Sequence, residues 1–151
     1  MADSFKKIRV AATKENLETV TAFLDEILDE KDCPLKIRLQ IDLALEEMYI
    51  NIANYAYTPN TGEMELRVAF DEAERELTLV LIDSGIPYDP LAKKDPDVTL
   101  SAEKRKIGGL GIYLVKKTMD SMTYERRDGR NIVTMKKKFG GAYKEGGRES
   151  V

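Results

Sequence analysis

The sequence predicts an α+β fold, a two-layer sandwich in which helices cover one face of a mixed or antiparallel sheet. Two patterns support this prediction. Several short stretches alternate apolar and polar residues with the period of a strand, and longer stretches repeat their apolar residues with the period of a helix. The order along the chain is strand, helix, helix, two strands, a polar segment, helix and two strands.

Size and composition limit the classes of function. The 151 residues fit a single domain, which we expect over residues 1–139, and the glycine-rich, charged residues 140–151 are expected to be a disordered tail. A net charge of −3 gives no basic surplus for nucleic acid, and no apolar stretch is long enough to span a bilayer. We therefore expect a soluble, cytoplasmic protein without a nucleic-acid or membrane partner.

Two residue counts exclude further chemistry. Cys33 is the only cysteine, so the chain can form no internal disulfide. The chain has no histidine, which excludes histidine as a general acid or base, as a metal ligand and as a phosphorylated residue.

The first half of the chain predicts one strand and two helices. Residues 5–12 alternate as an edge strand does, although a loose N-terminal arm is the alternative. Residues 13–31 show helical periodicity, and Thr13 is suited to cap the helix. A second helix is predicted over residues 34–57, with Pro34 in its first turn.

The second predicted helix carries a polar strip. Glu47, Asn51 and Asn54 follow one another at intervals of four and three residues, so they project from one helix face. A solvated polar face is the simpler interpretation. However, the flanking residues are apolar over most of the circumference, which favours a polar strip that lines a cleft.

The second half predicts four strands, a lid and a helix. Residues 64–70 and 77–82 form a hairpin whose second strand ends at Asp83, and residues 123–127 and 131–138 form another around Asp128-Gly129. Residues 86–106 contain three prolines and many charges, which predicts a mobile lid. Helical periodicity then returns over residues 110–122.

Two glycine turns predict a nucleotide site. Asp83-Ser84-Gly85 leaves a strand, and the glycines at positions 108, 109 and 111 precede or open a helix, where free amide N–H groups and the helix dipole favour phosphate. The Asp83 carboxylate is an acceptor suited to the amino group of a base. An ordinary turn at Gly85 and close helix packing at the later glycines are the alternatives. Neither a P-loop nor an early Rossmann fingerprint occurs.

Together these motifs resemble those of a known superfamily. Glu47-x-x-x-Asn51, Asp83-x-Gly85, the glycine run at 108–111 and Thr134 are similar to the N box, G1 box, G2 box and final threonine of the Bergerat-fold (GHKL) ATPases. The compact chain, with its first strand and helix, resembles the anti-sigma factor serine/threonine-protein kinases within that superfamily. The resemblance covers roughly residues 5–138 and identifies residues 1–139 as a histidine-kinase-like ATPase domain.

The resemblance implies a role for each matching residue. Asn51 would coordinate Mg²⁺ that bridges the phosphates of ATP, and Asp83 would accept a hydrogen bond from the adenine amino group. Gly85 would give the base close access, Thr134 would support the adenine, and Glu47 would be the catalytic residue that orients or deprotonates the incoming hydroxyl. The remaining matching residues would surround the phosphates: Gly108, Gly109, Leu110 and Gly111 through the backbone, and Lys104, Arg105 and Lys106 as cations of the lid.

The function that the resemblance implies is regulatory phosphorylation. The protein would be an ATP-dependent serine/threonine kinase that acts as an anti-sigma factor in transcription regulation, phosphorylates an anti-anti-sigma (STAS-like) protein and binds a sigma factor, with a homodimer as a further implication. Two alternatives remain open, a non-catalytic ATP-dependent protein-binding switch and a free-standing ATPase. Asn54 and Tyr55 depart from the pattern, because many members carry a basic residue or histidine there.

Overall fold

A computed structural model describes residues 5–92 and 109–140 of the chain. Its five strands form one sheet in the order β1-β2-β3-β5-β4, and every neighbouring pair is antiparallel. The strands are β1 (Lys6–Ala11), β2 (Glu63–Asp71), β3 (Glu76–Asp83), β4 (Ser121–Arg127) and β5 (Arg130–Lys138), and the helices are α1 (Leu17–Glu30), α2 (Leu35–Asn51) and α3 (Gly109–Thr118). The α+β prediction is confirmed, and the sheet is antiparallel throughout.

The core lies between the helices and one face of the sheet. Leu66, Leu81 and Val133 stand side by side on three neighbouring strands, and all three are buried in one cluster with residues of α1, α2 and α3. Because side chains alternate between the faces of a strand, the intervening residues lie on the opposite face. The helices therefore cover a single face, as predicted. Within the described residues, no helix has the length and apolar character needed to cross a bilayer.

The second predicted helix changes form before it ends. Its α-helical part stops at Asn51, and a π-helical turn, Ile52–Ala56, continues it. The prediction of an α-helix through residue 57 is therefore wrong over its last six residues, 52–57. The widened turn is held from outside the helix, since the N–H of Ile86 donates to the carbonyl of Ala56 at 2.9 Å and the Tyr57 hydroxyl donates to the carbonyl of Glu63 at 2.6 Å.

Two other helix boundaries differ from the prediction. Thr13 makes no side-chain cap bond; a short 3₁₀ turn, Lys14–Asn16, leads into α1 instead. Helix α3 ends at Thr118 rather than at residue 122, because Asp120 already donates its N–H to the carbonyl of Lys136 at 2.9 Å and β4 begins there. Most of the predicted lid (93–106) and of the predicted tail (141–151) lies outside the described residues.

An acidic pair lies at the contact between α1 and α2. Asp42 on α2 is half-buried and faces Asp25 on α1, and Arg38 lies 3.5 Å from the Asp25 carboxylate. Burial, followed by the interaction with Asp25, raises the pKa of Asp42 to about 7 from an ordinary value of 3.8. The folded protein therefore keeps a proton on this pair at pH values where the unfolded chain has lost it.

This pair predicts a pH-dependent stability. The stabilising effect of the raised pKa is complete below about pH 4 and is lost as the pH rises through about 7. After allowance for solvent screening, the free energy of unfolding of Asp42→Asn should be about 1 kcal/mol higher than that of the wild type at pH 8, and nearly the same as that of the wild type at pH 4. Urea unfolding at both pH values measures this difference. Equal pH dependence in the two proteins would contradict the assignment.

Candidate functional site

A cleft opens between the end of α2, with its π-helical turn, and the last residue of β3. Its cavity volume is about 30 Å³, and the space around it is continuous with solvent. Three polar side chains, Asn51, Asp83 and Asn131, line it. Most of the remaining wall is apolar or aromatic, formed by Met48, Ile52, Leu81, Val133, Tyr55 and Tyr88. An apolar cleft with a few convergent polar groups is typical of a site for a flat organic ligand.

The end of α2 places Asn51 at this cleft. Asn51 is the last α-helical residue and lines the cleft, immediately before the π-helical turn. A π-helical turn disrupts the regular hydrogen-bond ladder and is frequent at functional sites. Asn54 was predicted on the same face as Asn51, but it lines a neighbouring surface depression, which shares only Tyr55 and Tyr88 with the cleft and contains none of the cleft's three polar side chains. Of the two asparagines, only Asn51 contributes to the cleft.

Asp83 is the buried acceptor of the site. Only 6% of its surface is exposed, and its Oδ1 atom accepts two hydrogen bonds at 2.9 Å, one from the N–H of Gly85 and one from the Asn131 side chain. Among the described residues, no donor is hydrogen-bonded to Asp83 Oδ2. Oδ1 therefore fixes the carboxylate, and Oδ2 remains as the acceptor for a ligand in the cleft.

The structure accounts for Gly85 by the close approach of two backbone segments. A Cβ atom at Gly85 would lie 2.2 Å from the carbonyl oxygen of Ala56, which no real contact allows. The same carbonyl accepts the N–H of Ile86, so the π-helical turn and the end of β3 are held together here. Gly85 is thus required by packing, and its predicted contact with a base stays a prediction.

Glu47 lies against the first turn of α3. A Cβ atom at Gly111 would be 1.9 Å from Glu47 Oε1, so the carboxylate occupies the space that a side chain at position 111 would need. Burial, and then the neighbouring Glu46 carboxylate, raise the pKa of Glu47. This carboxylate therefore takes up a proton more readily than an exposed glutamate does, and it lies at a helix N-terminus, where phosphate binding is favoured.

The structure does not bring Thr134 to the cleft. Thr134 follows Val133, which lines the cleft, and it pairs with Val80 and Thr123 across the sheet. Adjacent residues of a strand point to opposite faces, so the Thr134 side chain lies on the face away from the helices. The predicted contact between Thr134 and adenine is therefore corrected.

Asn131 is the polar residue of β5 that reaches the cleft, and the sequence interpretation missed it. It is 4% exposed and lies directly opposite Asp83 in the β3–β5 register. The only signal in the sequence was its position, as the second residue of the strand that follows the Asp128-Gly129 turn. Tyr55 and Tyr88 were also missed; their rings lie 6.1 Å apart at the cleft and offer flat apolar surface.

The glycine-rich motif is only partly described. Gly109, Leu110 and Gly111 form the first residues of α3, so the predicted helix N-terminus is present. Gly108 and the predicted lid cations Lys104, Arg105 and Lys106 lie outside the described residues. Their contacts with phosphate stay predictions.

The donors of the site fit a magnesium ion that is brought in with phosphate. Within residues 5–92 and 109–140, no group of three acidic or cysteine side chains could hold a metal on its own. Mg²⁺ commonly takes only one or two protein ligands, and water and phosphate oxygens complete its shell. The amide oxygen of Asn51, at the cleft, is a ligand of the right class.

Comparison with known proteins identifies one matching family and several related protein kinases. The model of the histidine kinase-like ATPase domain matches residues 10–137. Serine/threonine-protein kinase BtrW of Bordetella bronchiseptica is 25% identical over 135 residues, which cover 89% of this chain and 94% of that protein. Serine-protein kinase RsbW of Staphylococcus aureus is 22% identical over 134 residues, 86% of this chain and 84% of that protein. Since the family model spans most of its length, this chain belongs to the histidine kinase-like ATPase domain family.

Proposed function

We propose that this protein is an ATP-dependent serine/threonine protein kinase that acts as an anti-sigma regulatory factor. Its substrate would be a hydroxyl of an anti-anti-sigma (STAS-like) protein, whose modification leaves the kinase free to bind a sigma factor. Two similar proteins named as kinases align with this chain over nearly its whole length. The observation that carries the proposal is the position of the Glu47 carboxylate, packed against the first turn of α3.

The cleft would bind ATP with its base inward. Asp83 Oδ2 would accept a hydrogen bond from the adenine amino group, while the rings of Tyr55 and Tyr88 would contact the base. Asn51 would hold Mg²⁺, which lowers the charge repulsion that an incoming hydroxyl meets at a phosphate. The N-terminus of α3, which starts at Gly109, would direct its free N–H groups toward the phosphates.

Glu47 would serve as the base for the transfer. The serine oxygen attacks the γ-phosphorus, the bond from that phosphorus to the bridging oxygen breaks, and ADP leaves with the bond electrons. The hydroxyl proton passes to the Glu47 carboxylate, whose raised pKa makes it a stronger base than an exposed glutamate. Transfer to a protein hydroxyl, rather than to a histidine of the same chain, agrees with the absence of histidine.

Glu47→Gln should lower phosphotransfer by about a hundredfold or more and leave the affinity for ATP within about threefold of the wild type. Glutamine keeps the size and polarity of the side chain but cannot accept the proton. Incorporation of labelled γ-phosphate into a purified STAS-domain protein measures transfer, and calorimetric titration with Mg·ATP measures binding. Glu18→Gln is the matched control and should transfer at the wild-type rate, because Glu18 is an exposed glutamate on α1.

Undiminished transfer in Glu47→Gln would contradict the role given to this residue. ATP binding by the wild type without transfer to any STAS-domain protein would instead favour an ATP-dependent binding switch. Steady release of phosphate with no protein acceptor would favour a free-standing ATPase.

A further inference from the structure

The Asn131 side chain is a buried junction of four hydrogen bonds. Its Nδ2 atom donates to Asp83 Oδ1 at 2.9 Å and to the carbonyl of Ile86 at 2.8 Å. Its Oδ1 atom accepts from the hydroxyl of Tyr124 at 2.6 Å and from the N–H of Tyr88 at 3.3 Å. These four bonds use both amide hydrogens and both lone pairs of the oxygen.

This arrangement allows only one orientation of the amide. If the group were rotated by half a turn, its oxygen would face two acceptors, Asp83 Oδ1 and the Ile86 carbonyl, and its NH₂ group would face the N–H of Tyr88. Asn131 therefore always presents a donor to Asp83. Because the side chain is 4% exposed, water has little access to replace that donor.

The consequence for Asp83 is an asymmetric carboxylate. With Gly85 and Asn131 both donating to Oδ1, the two lone-pair sites of that oxygen are filled, and Oδ2 is left for a ligand. A carboxylate with two free oxygens can accept two parallel N–H donors, which guanine offers at its N1–H and 2-amino groups. A carboxylate with one free oxygen suits the single 6-amino group of adenine.

We propose that Asn131 is a positioning residue that sets the base preference of the cleft, by occupying Asp83 Oδ1 so that the site accepts adenine and rejects guanine. The inference rests on the proposed function, since it requires that a nucleotide binds in this cleft. Asn131 acts through Asp83 and through the segment that it fixes at Ile86 and Tyr88.

The test compares the affinities of the full chain for Mg·ATP and Mg·GTP by calorimetric titration. The measured quantity is the ratio of the affinity for ATP to the affinity for GTP. This ratio should be at least about ten in the wild type, and Asn131→Ala should lower it at least about fivefold. A general loosening of the site would weaken both nucleotides alike and leave the ratio unchanged. Tyr124→Phe is the matched control, because it removes one bond of the same network on the side away from Asp83; its ratio should stay within about twofold of the wild type.

A second variant keeps the shape of the side chain. In Asn131→Asp the new carboxyl can donate to Asp83 only when it is protonated, so the ratio should be low at pH 8 and should recover toward the wild-type value near pH 6. The other ionisable groups around the pair are Tyr57, Tyr88, Tyr124 and Arg126. A surface depression that Asp83 also lines adds Arg9, Glu63, Glu65 and Arg130. The wild type and Asn131→Ala are measured at both pH values as controls. A change in their ratios would show an effect of these other groups or of the phosphates.

The outcomes separate this inference from the proposed function. If the wild type binds no nucleotide, the proposed function fails and this inference fails with it. If the wild type prefers ATP and a folded Asn131→Ala keeps that preference, the inference alone is overturned. If Asn131→Ala does not fold, the pH profile of Asn131→Asp decides: recovery at pH 6 supports the inference, and a wild-type ratio at pH 8 overturns it.

Discussion

Gly85→Ala should lower the free energy of unfolding by about 3 kcal/mol, near the upper end of what an added methyl group costs in a packed site. The new Cβ atom would lie 2.2 Å from the carbonyl oxygen of Ala56 and 2.6 Å from its carbonyl carbon. These are backbone atoms, so relief requires that the π-helical turn move away from β3 and lose the bond between Ile86 and Ala56. Urea unfolding at a fixed pH measures the loss.

The matched control is Gly129→Ala in the β4–β5 hairpin. Gly129 has a φ of +76°, and a Cβ atom there would meet nothing within 4 Å. Its replacement should therefore cost only the backbone strain of about 1–2 kcal/mol. A Gly85→Ala protein that is as stable as Gly129→Ala would contradict the close packing assigned to Gly85.

Gly111→Ala should lower the rate of phosphotransfer at least about tenfold. The same substitution should change the free energy of unfolding by no more than about 1 kcal/mol. The atom nearest to the new Cβ is Glu47 Oε1 at 1.9 Å, the far end of a flexible side chain that can rotate away. Alanine also favours a helix more than glycine does. The cost therefore falls on the position of the proposed base rather than on the fold.

Phosphate incorporation into a STAS-domain protein and calorimetric titration with Mg·ATP separate transfer from binding in this variant. Leu114→Ala, on an exposed position of the same helix, serves as the control and should transfer at the wild-type rate. Wild-type transfer in Gly111→Ala would show that the placement of Glu47 against α3 does not matter for the chemistry.

The fold was predictable because its signals are periodic. The alternation in β2 and β3, and the helical repeats in α1 and α2, reflect burial against one shared core. The two strands have nearly the predicted bounds, and the two helices lie within the predicted ranges but are shorter. The π-helical turn was not predictable in this way. It depends on the hydrogen bond from the N–H of Ile86 to the carbonyl of Ala56, which joins segments distant in sequence, and on the bond from the Tyr57 hydroxyl to the carbonyl of Glu63.

The site was only partly predictable for a related reason. Asn51 and Asp83 lie next to recognisable helix and strand ends, whereas the choice between Asn131 and Thr134 depends on which face of β5 meets the helices. A motif match does not give that face, because a shift of one residue moves every side chain to the opposite side of the sheet. Val133 is buried in the core, and Asn131, two residues away on the strand, lies on the same face, whereas Thr134 lies on the opposite face.

The central claim is that the cleft beside Asp83 binds ATP, and thermal unfolding with and without Mg·ATP tests it most directly. At about a hundred times the dissociation constant, bound ligand should add roughly 2.7 kcal/mol and raise the midpoint by roughly 5–10 °C. Asp83→Asn should lose this shift, because asparagine keeps the Oδ1 acceptor for Gly85 and Asn131 but replaces Oδ2 with a donor. A wild-type midpoint that ATP leaves unchanged, or an equal shift in Asp83→Asn, would contradict the claim.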